Sequence, residues 1–267
     1  MKLRNKFLPA MLVFGVVALS SCEKTDQEIA DPTFEQGILS HVLVDSAEVT
    51  SFSFAQNEIG QVNHYNKATG ELERFEKFER NEAGRVSKII TYAGKSSEVL
   101  SEEEHTYNTQ GRLEQSSTVY FSAGKPTYST LNTYEYTENN KLKKVAMYEG
   151  ANGEEAKLQS YTEYAVLPNG NYSQSKQYVA DKTEKAKLFS TTNFSYDTNY
   201  NPFFEIAEPG TAVSPNNLIS STTEIHNSNK TYAYTYSYKY DERGFPLSQT
   251  VSNPNGKTET YNYKYSN

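Results

Sequence analysis

The sequence predicts an all-β chain, an antiparallel β-meander of about 12–14 strands forming a single curved or curled sheet made of repeated hairpins. Three observations carry this expectation. Tyr232, Tyr234, Tyr236, Tyr238 and Tyr240 alternate strictly with Ala233, Thr235, Ser237 and Lys239, and in an extended chain that places five rings on one face of one strand. Turn signals recur in two interleaved series: Gly60, Gly84, Gly111, Asn140 and Gly170 are separated by 24, 27, 29 and 30 residues, and Gly70, Gly94, Gly124, Gly153 and Asp181 by 24, 30, 29 and 28. Two series of one period mean two strands of roughly ten residues per repeat, joined by short reversals that only antiparallel neighbours allow. Third, the chain is poor in aliphatic side chains and rich in tyrosine. Leu, Ile, Val and Phe supply 43 of the 246 residues after residue 21, beside 22 tyrosines. Such a composition suggests a thin sheet with wet faces, because a tyrosine buries a large ring while its hydroxyl keeps a polar partner.

Residues 1–21 read as a targeting leader. Lys2, Arg4 and Lys6 precede a mostly apolar run from Phe7 to Leu19, too short to cross a bilayer, which needs about 20 apolar residues. Cys22 is the only cysteine, so no intrachain disulfide can staple the fold. Residues 22–36 are polar, contain Pro32 and read as a tether. Residues 37–267 form the sheet domain, starting with an apolar strand over Ile38 to Val44. One series of turns has Asn or Asp three residues before Gly, then a polar and an apolar residue, as in Asn81-Glu82-Ala83-Gly84-Arg85-Val86. Asn140 stands in for glycine because it tolerates positive φ. The other series consists of shorter reversals such as Gly94-Lys95 and Asn152-Gly153.

The period breaks once. Pro202, Pro209 and Pro215 exclude a central strand between Asp197 and Asn217. A connection this long either caps an open sheet end through Phe203 and Phe204, binds a ligand with them, or merely links.

Without residues 1–21 the chain has 23 basic and 33 acidic residues. That charge of −10 argues against nucleic acid and anionic membrane surfaces as partners. His41, His64, His105 and His226 lack ligand-like spacing. Glu102-Glu103-Glu104 reads as a solvated strand edge. Gly94-Lys95-Ser96 lacks the first glycine and the helix of a phosphate-binding loop, and no Gly-x-Ser-x-Gly elbow is present. The residues therefore name no cofactor and no metal. The tyrosine face has two readings: a cross-strand ladder that stabilises the sheet, or a platform for a glycan or another extended ligand.

Leu19-Ser20-Ser21-Cys22 resembles the lipobox of bacterial lipoproteins. The resemblance implies cleavage before Cys22, lipid attachment there, and a membrane held through the acyl chains. Tyr238 to Pro246 resembles the YD repeat of RHS and toxin-complex shells. The broader pattern, with Asn201-Pro202-Phe203, Asn216-Asn217-Leu218 and Tyr236 to Pro246, resembles a group of Bacteroidota lipoproteins built from degenerate units of this kind. That group implies an outer-membrane lipoprotein, periplasmic or surface-exposed, and brings no established activity. Together these readings predict a non-enzymatic binding or scaffold module for a glycan or envelope protein. Its alternatives are a polysaccharide-active hydrolase and a shell-like carrier of a small protein or lipid.

Overall fold

The computed structural model describes residues 37–266, apart from residues 56–57, 152–155 and 184. The leader, Cys22, the tether, Asn57 and the Asn152-Gly153 reversal lie outside the described residues. The first eight strands are β1 (Ile38–Val44), β2 (Ala47–Ala55), β3 (Glu58–Tyr65), β4 (Leu72–Arg80), β5 (Val86–Ala93), β6 (Val99–Tyr107), β7 (Leu113–Ser122) and β8 (Lys125–Tyr136). They are followed by β9 (Leu142–Ala151), β10 (Lys157–Val166), β11 (Tyr172–Ala180), β12 (Ala186–Tyr200), β13 (Asn216–Ile225), β14 (Lys230–Tyr240), β15 (Pro246–Ser252) and β16 (Thr258–Ser266).

Each strand pairs antiparallel with the next, and β16 returns to pair with β1, so the sheet is a closed barrel. The meander is as expected, but the open sheet and the strand count are corrected. Closure removes both edges, whose unpaired N–H and C=O groups would otherwise recruit another chain. The count rises to sixteen among the described residues because reversals without glycine also occur. Asp45 and Ser46 turn the chain between β1 and β2 with φ of 48° and 74°, and Asn229 does so between β13 and β14 with φ of 51°. Two successive residues at positive φ match the right-handed twist of a two-residue hairpin.

Strands that alternate in direction sort the two turn series to opposite ends. The Asx-x-x-Gly turns after β4, β6 and β14, with their looser copies after β8 and β10, share one end with Gly37 and Ser266, and the shorter reversals occupy the other. The chemistry of these turns is local. Asn81 Oδ1 accepts from the N–H groups of Ala83 and Arg85 at 3.0 and 3.1 Å, and Asp241 Oδ1 accepts from Arg243 and Phe245, both at 2.9 Å. A short acceptor side chain thus holds the bend, and glycine takes the positive φ. Gly111 is needed for its φ of 78°, and the Arg85 guanidinium that lies over Tyr107 packs beside it.

The core gathers at this same end. Leu39, Val86, Leu113, Leu142, Tyr172 and Pro246 each lie two residues after a positive-φ glycine or its asparagine substitute, and all are buried. These side chains form a belt inside the barrel end, joined by the buried Val62 of β3; the turn expected at Gly60 is corrected, because Gly60 lies within β3 and has no positive φ. Tyrosines tie the belt together. The hydroxyls of Tyr107, Tyr238 and Tyr265 donate to the carbonyls of Val86, Leu218 and Pro246 at 2.6, 2.9 and 2.8 Å. A chain poor in aliphatics thereby builds a core whose polar tips are satisfied.

Candidate ligand site in the barrel lumen

Antiparallel partners share a face, so the register separates inside from outside. Val42 is paired with Tyr263 and Thr50, Thr50 with His64, and His64 with Arg74, and all five border the lumen. On the opposite face Lys88 is paired with Glu104, and Lys144 with Glu135 and Glu163. These outward charges form surface ion pairs, Lys88–Glu102 at 2.7 Å and Lys144–Glu135 at 3.5 Å. The outer face thus carries these charges together with the Phe75–Tyr92 and Tyr161–Tyr178 stacks, and the inner face carries aromatic, aliphatic and hydroxyl side chains beside the titratable His64, Arg74 and Glu76.

The long segment over residues 201–215, between β12 and β13, plugs the end that carries the belt. Its neck is held by asparagines: Nδ2 of Asn201 donates to the Ser214 carbonyl, Nδ2 of Asn217 to that of Tyr200, both at 2.9 Å, and Nδ2 of Asn216 to that of Asn199 at 3.1 Å. Phe203 meets Tyr263 edge-on, with ring centres 5.8 Å apart. Phe204 lies beneath the Lys141 ammonium, 4.8 Å from its ring centre. Gly210 sits against Tyr134 and Leu113. The segment thus reaches from β16 across the lumen to β7 and β8. Phe203 and Phe204 diverge, one into the core cluster of Leu39, Val42 and Tyr263, the other onto a neighbouring turn.

The five alternating tyrosines of β14 point inward, since Tyr234 is paired with Ser221 and Tyr238 with Gln249, a cavity residue. They fall into two groups. Toward the plug, Tyr240 donates to Asp197, Tyr238 accepts from Gln249 at 2.5 Å, and Tyr236 shares a hydrogen bond with Ser221 at 3.3 Å. Burial, only partly offset by the Gln249 hydrogen bond, pushes the Tyr238 hydroxyl up to about 12. Toward the open end, Tyr232 and Tyr234 have no hydrogen-bond partner among the described residues, and Tyr232 is 40% exposed. The lower three are built into the fold, whereas the upper two offer free rings and hydroxyls at the mouth.

The structure also assembles a charged cluster that the sequence reading passed over. A cavity of about 490 Å³ is bordered by His64, Arg74 and Glu76 of the wall and by Glu208 of the plug. His64 Nε2 and Arg74 Nε meet the same Glu76 oxygen at 3.1 and 3.7 Å. Next to it, Glu103 pairs with the buried His105 at 2.9 Å. Burial opposes the charge on Glu103, but the hydrogen bond and charge of His105, with the hydroxyls of Ser116 and Thr118, outweigh it and hold this carboxyl below its usual range. Glu208 goes the other way. Its side chain is exposed to the cavity but enclosed by the wall around it, and this desolvation, with the nearby charges of Glu76 and Glu103, pushes it up to about 7, against the opposing pull of His105 and His64.

The edge reading of Glu102-Glu103-Glu104 is corrected here. A closed barrel has no edge, and the alternation of a strand sends Glu102 and Glu104 out to Lys88 while Glu103 turns in to His105. Arg74-x-Glu76 and Glu103-x-His105 are same-face pairs, a spacing of two that the sequence displays. What it withholds is that both faces meet inside one lumen.

No family model matches the chain, and none of the curated proteins does. Among solved structures, the chain is similar to a porin-like protein from Bacteroides vulgatus ATCC 8482, with 9% identity and a TM-score of 0.54 over 86% of this chain and 99% of that one. A porin-like protein from Bacteroides uniformis ATCC 8492 follows at 13% identity and a TM-score of 0.47, over 85% and 96% of the two chains. A chain of the Photorhabdus luminescens Tc holotoxin pore matches 82% of this chain with only 11% of its own length, at 15% identity and a TM-score of 0.29. The likeness to the first of these is one of fold: an antiparallel β-barrel.

Proposed function

We propose that this chain is a lipid-anchored barrel of the bacterial cell envelope that stands in water and binds a small polar ligand in its lumen without catalysing a reaction. One observation carries the reading: the outer face lacks the apolar band of a membrane-spanning barrel. A spanning barrel shows such a band about 25 Å tall to lipid, where each Lys or Arg at mid-depth costs about 2–4 kcal/mol. Here Lys88, Glu102, Glu104, Glu135, Lys144 and Glu163 lie on that face, and its aromatic stacks, Phe75 on Tyr92 and Tyr161 on Tyr178, are overlain by Lys77 and Lys144. The lumen is plugged at one end, and its upper wall carries Thr130, Thr192 and Thr223, hydroxyls that suit a glycan or other polar ligand better than an acyl chain. Lipid attachment at Cys22 and kinship with degenerate YD-repeat lipoproteins belong to the proposal.

The test is a glycan and envelope-protein binding screen on the full chain beside a Tyr232→Ala, Tyr234→Ala double variant. Because neither hydroxyl is engaged, the variant is expected to keep its melting temperature and lose the hit. Binding that survives in the variant places recognition elsewhere and overturns the lumen reading. Separately, Cys22→Ala is expected to abolish labelled palmitate incorporation and release the protein from the membrane fraction.

A second reading has one observation in its favour. Glu103 held ionised beside Glu208 held protonated is the split that acid–base glycoside hydrolysis uses. Polysaccharide turnover abolished by Glu103→Gln would establish the hydrolase and remove the non-enzymatic reading.

A further inference from the structure

The cavity beneath the mouth has an unbalanced lining. Glu76 of β4 and Glu208 of the plug border it, with Arg74 as the one permanent cation and His64 of β3 and Tyr261 and Tyr263 of β16 as the other titratable groups of its lining; behind them Glu103 and His105 of β6 and Tyr134 of β8 lie within electrostatic reach of Glu208. The available donors are already committed. His64 and Arg74 share one oxygen of Glu76, and Ser116, Thr118 and His105 serve Glu103. The Glu208 side chain has no hydrogen bond or ion pair among the described residues, and the second oxygen of Glu76 has none either. The His105 side chain is 1% exposed, and its Nδ1 has no partner among the described residues. Phe52, Phe78 and Phe203 present apolar walls to the same cavity.

We propose that this cavity binds an organic cation, a primary or secondary ammonium on an apolar body, with the ammonium between the carboxylates of Glu208 and Glu76 and the body against Phe52, Phe78 and Phe203. The inference rests on the lumen-binding reading and deepens it to a ligand class. An ammonium supplies the N–H donors that both carboxylates lack, and ring faces attract the polarised methylenes beside it. An inert sugar would leave the charge excess in place. A bare metal ion is a poorer match, because no group of three or more His, Cys, Asp or Glu side chains among the described residues is arranged to hold one. The bound cation also favours the ionised form of Glu208, so binding releases a proton when it takes place below that group's titration range.

The experiment uses the full chain and three probes of one shape: 2-phenylethylammonium, neutral 2-phenylethanol and anionic 3-phenylpropanoate, titrated by calorimetry near pH 6 in two buffers of different ionisation enthalpy. The ammonium is expected to bind roughly tenfold or more tightly than the alcohol, with the carboxylate weakest and with an apparent enthalpy that depends on the buffer. Glu208→Gln, checked by its melt, is expected to cut ammonium affinity by roughly tenfold and remove the buffer dependence. If that variant fails to fold, the buffer dependence and the ranking of probes on the native chain decide the question. Equal binding of the three probes, tightest binding of the alcohol or the anion, or an ammonium titration without heat overturns the cation assignment. Those outcomes leave the lumen reading intact, which stands or falls on the mouth variant described above.

Discussion

Leu39→Ala is expected to be the most damaging single truncation in the barrel, lowering the unfolding free energy by about 2–5 kcal/mol. Leu39 is 1% exposed and lies on β1, where its partner across the closing seam is Tyr265 of β16. It sits in the cluster with Val42 and Tyr263, onto which Phe203 of the plug packs. Truncation therefore leaves a cavity where wall, seam and plug converge, and only side-chain packing can refill it. For a barrel of this size the loss corresponds to a fall of roughly 5–15 °C in melting temperature. Leu100→Ala, on the outer face at 36% exposure, is the control and is expected to stay within about 0.5 kcal/mol of the parent. A Leu39→Ala melt indistinguishable from that control would show that the seam is held by its backbone ladder and not by this cluster.

Glu208→Gln is expected to stabilise the protein at alkaline pH and to leave it unchanged in acid. In the folded barrel this carboxyl titrates near 7, against an ordinary value of 4.5. The folded state then holds a proton that the unfolded state has released, so stability is greatest below 4.5 and declines as pH rises through 7. Glutamine cannot ionise, and the difference between variant and parent opens over that window. Because the group is open to cavity water, screening reduces the gain to about 1–2 kcal/mol at pH 8. Chemical denaturation of both proteins between pH 4 and 8 reads the difference directly. It also cancels the opposite contribution of Glu103, whose lowered pKa stabilises the fold above 4.5 and loses that effect as the pH falls. A difference that does not change with pH would mean that neither desolvation nor the neighbouring carboxylates hold this group above its ordinary value.

The turns show how far local chemistry reaches. Asn81 and Asp241 accept two backbone N–H groups each, while Gly84, Gly111, Gly170, Gly244 and the substitute Asn140 take positive φ. Each of these needs only a few neighbours along the chain, so the reversals and the antiparallel order were legible from residue types and spacing. The hairpin at Asp45-Ser46 was not, because two ordinary residues at positive φ carry no glycine signal.

The alternation at Tyr232 to Tyr240 likewise determined that five rings share a face, since strand geometry leaves no other outcome. It did not decide that this face is the lumen, that the lower tyrosines serve the core, or that the upper two are free. Those facts depend on β16 returning to β1 and on the plug packing against their inner side chains. The cluster of His64, Glu76, Glu103 and Glu208 had even less local trace, because its members come from three separate strands and the plug, four elements that meet only once the barrel has closed. Sequence alone therefore determined the strands, their turns and which side chains travel together. Only the tertiary structure decided which face is inside, because closure is a contact between the two ends of the chain, and no local preference encodes it.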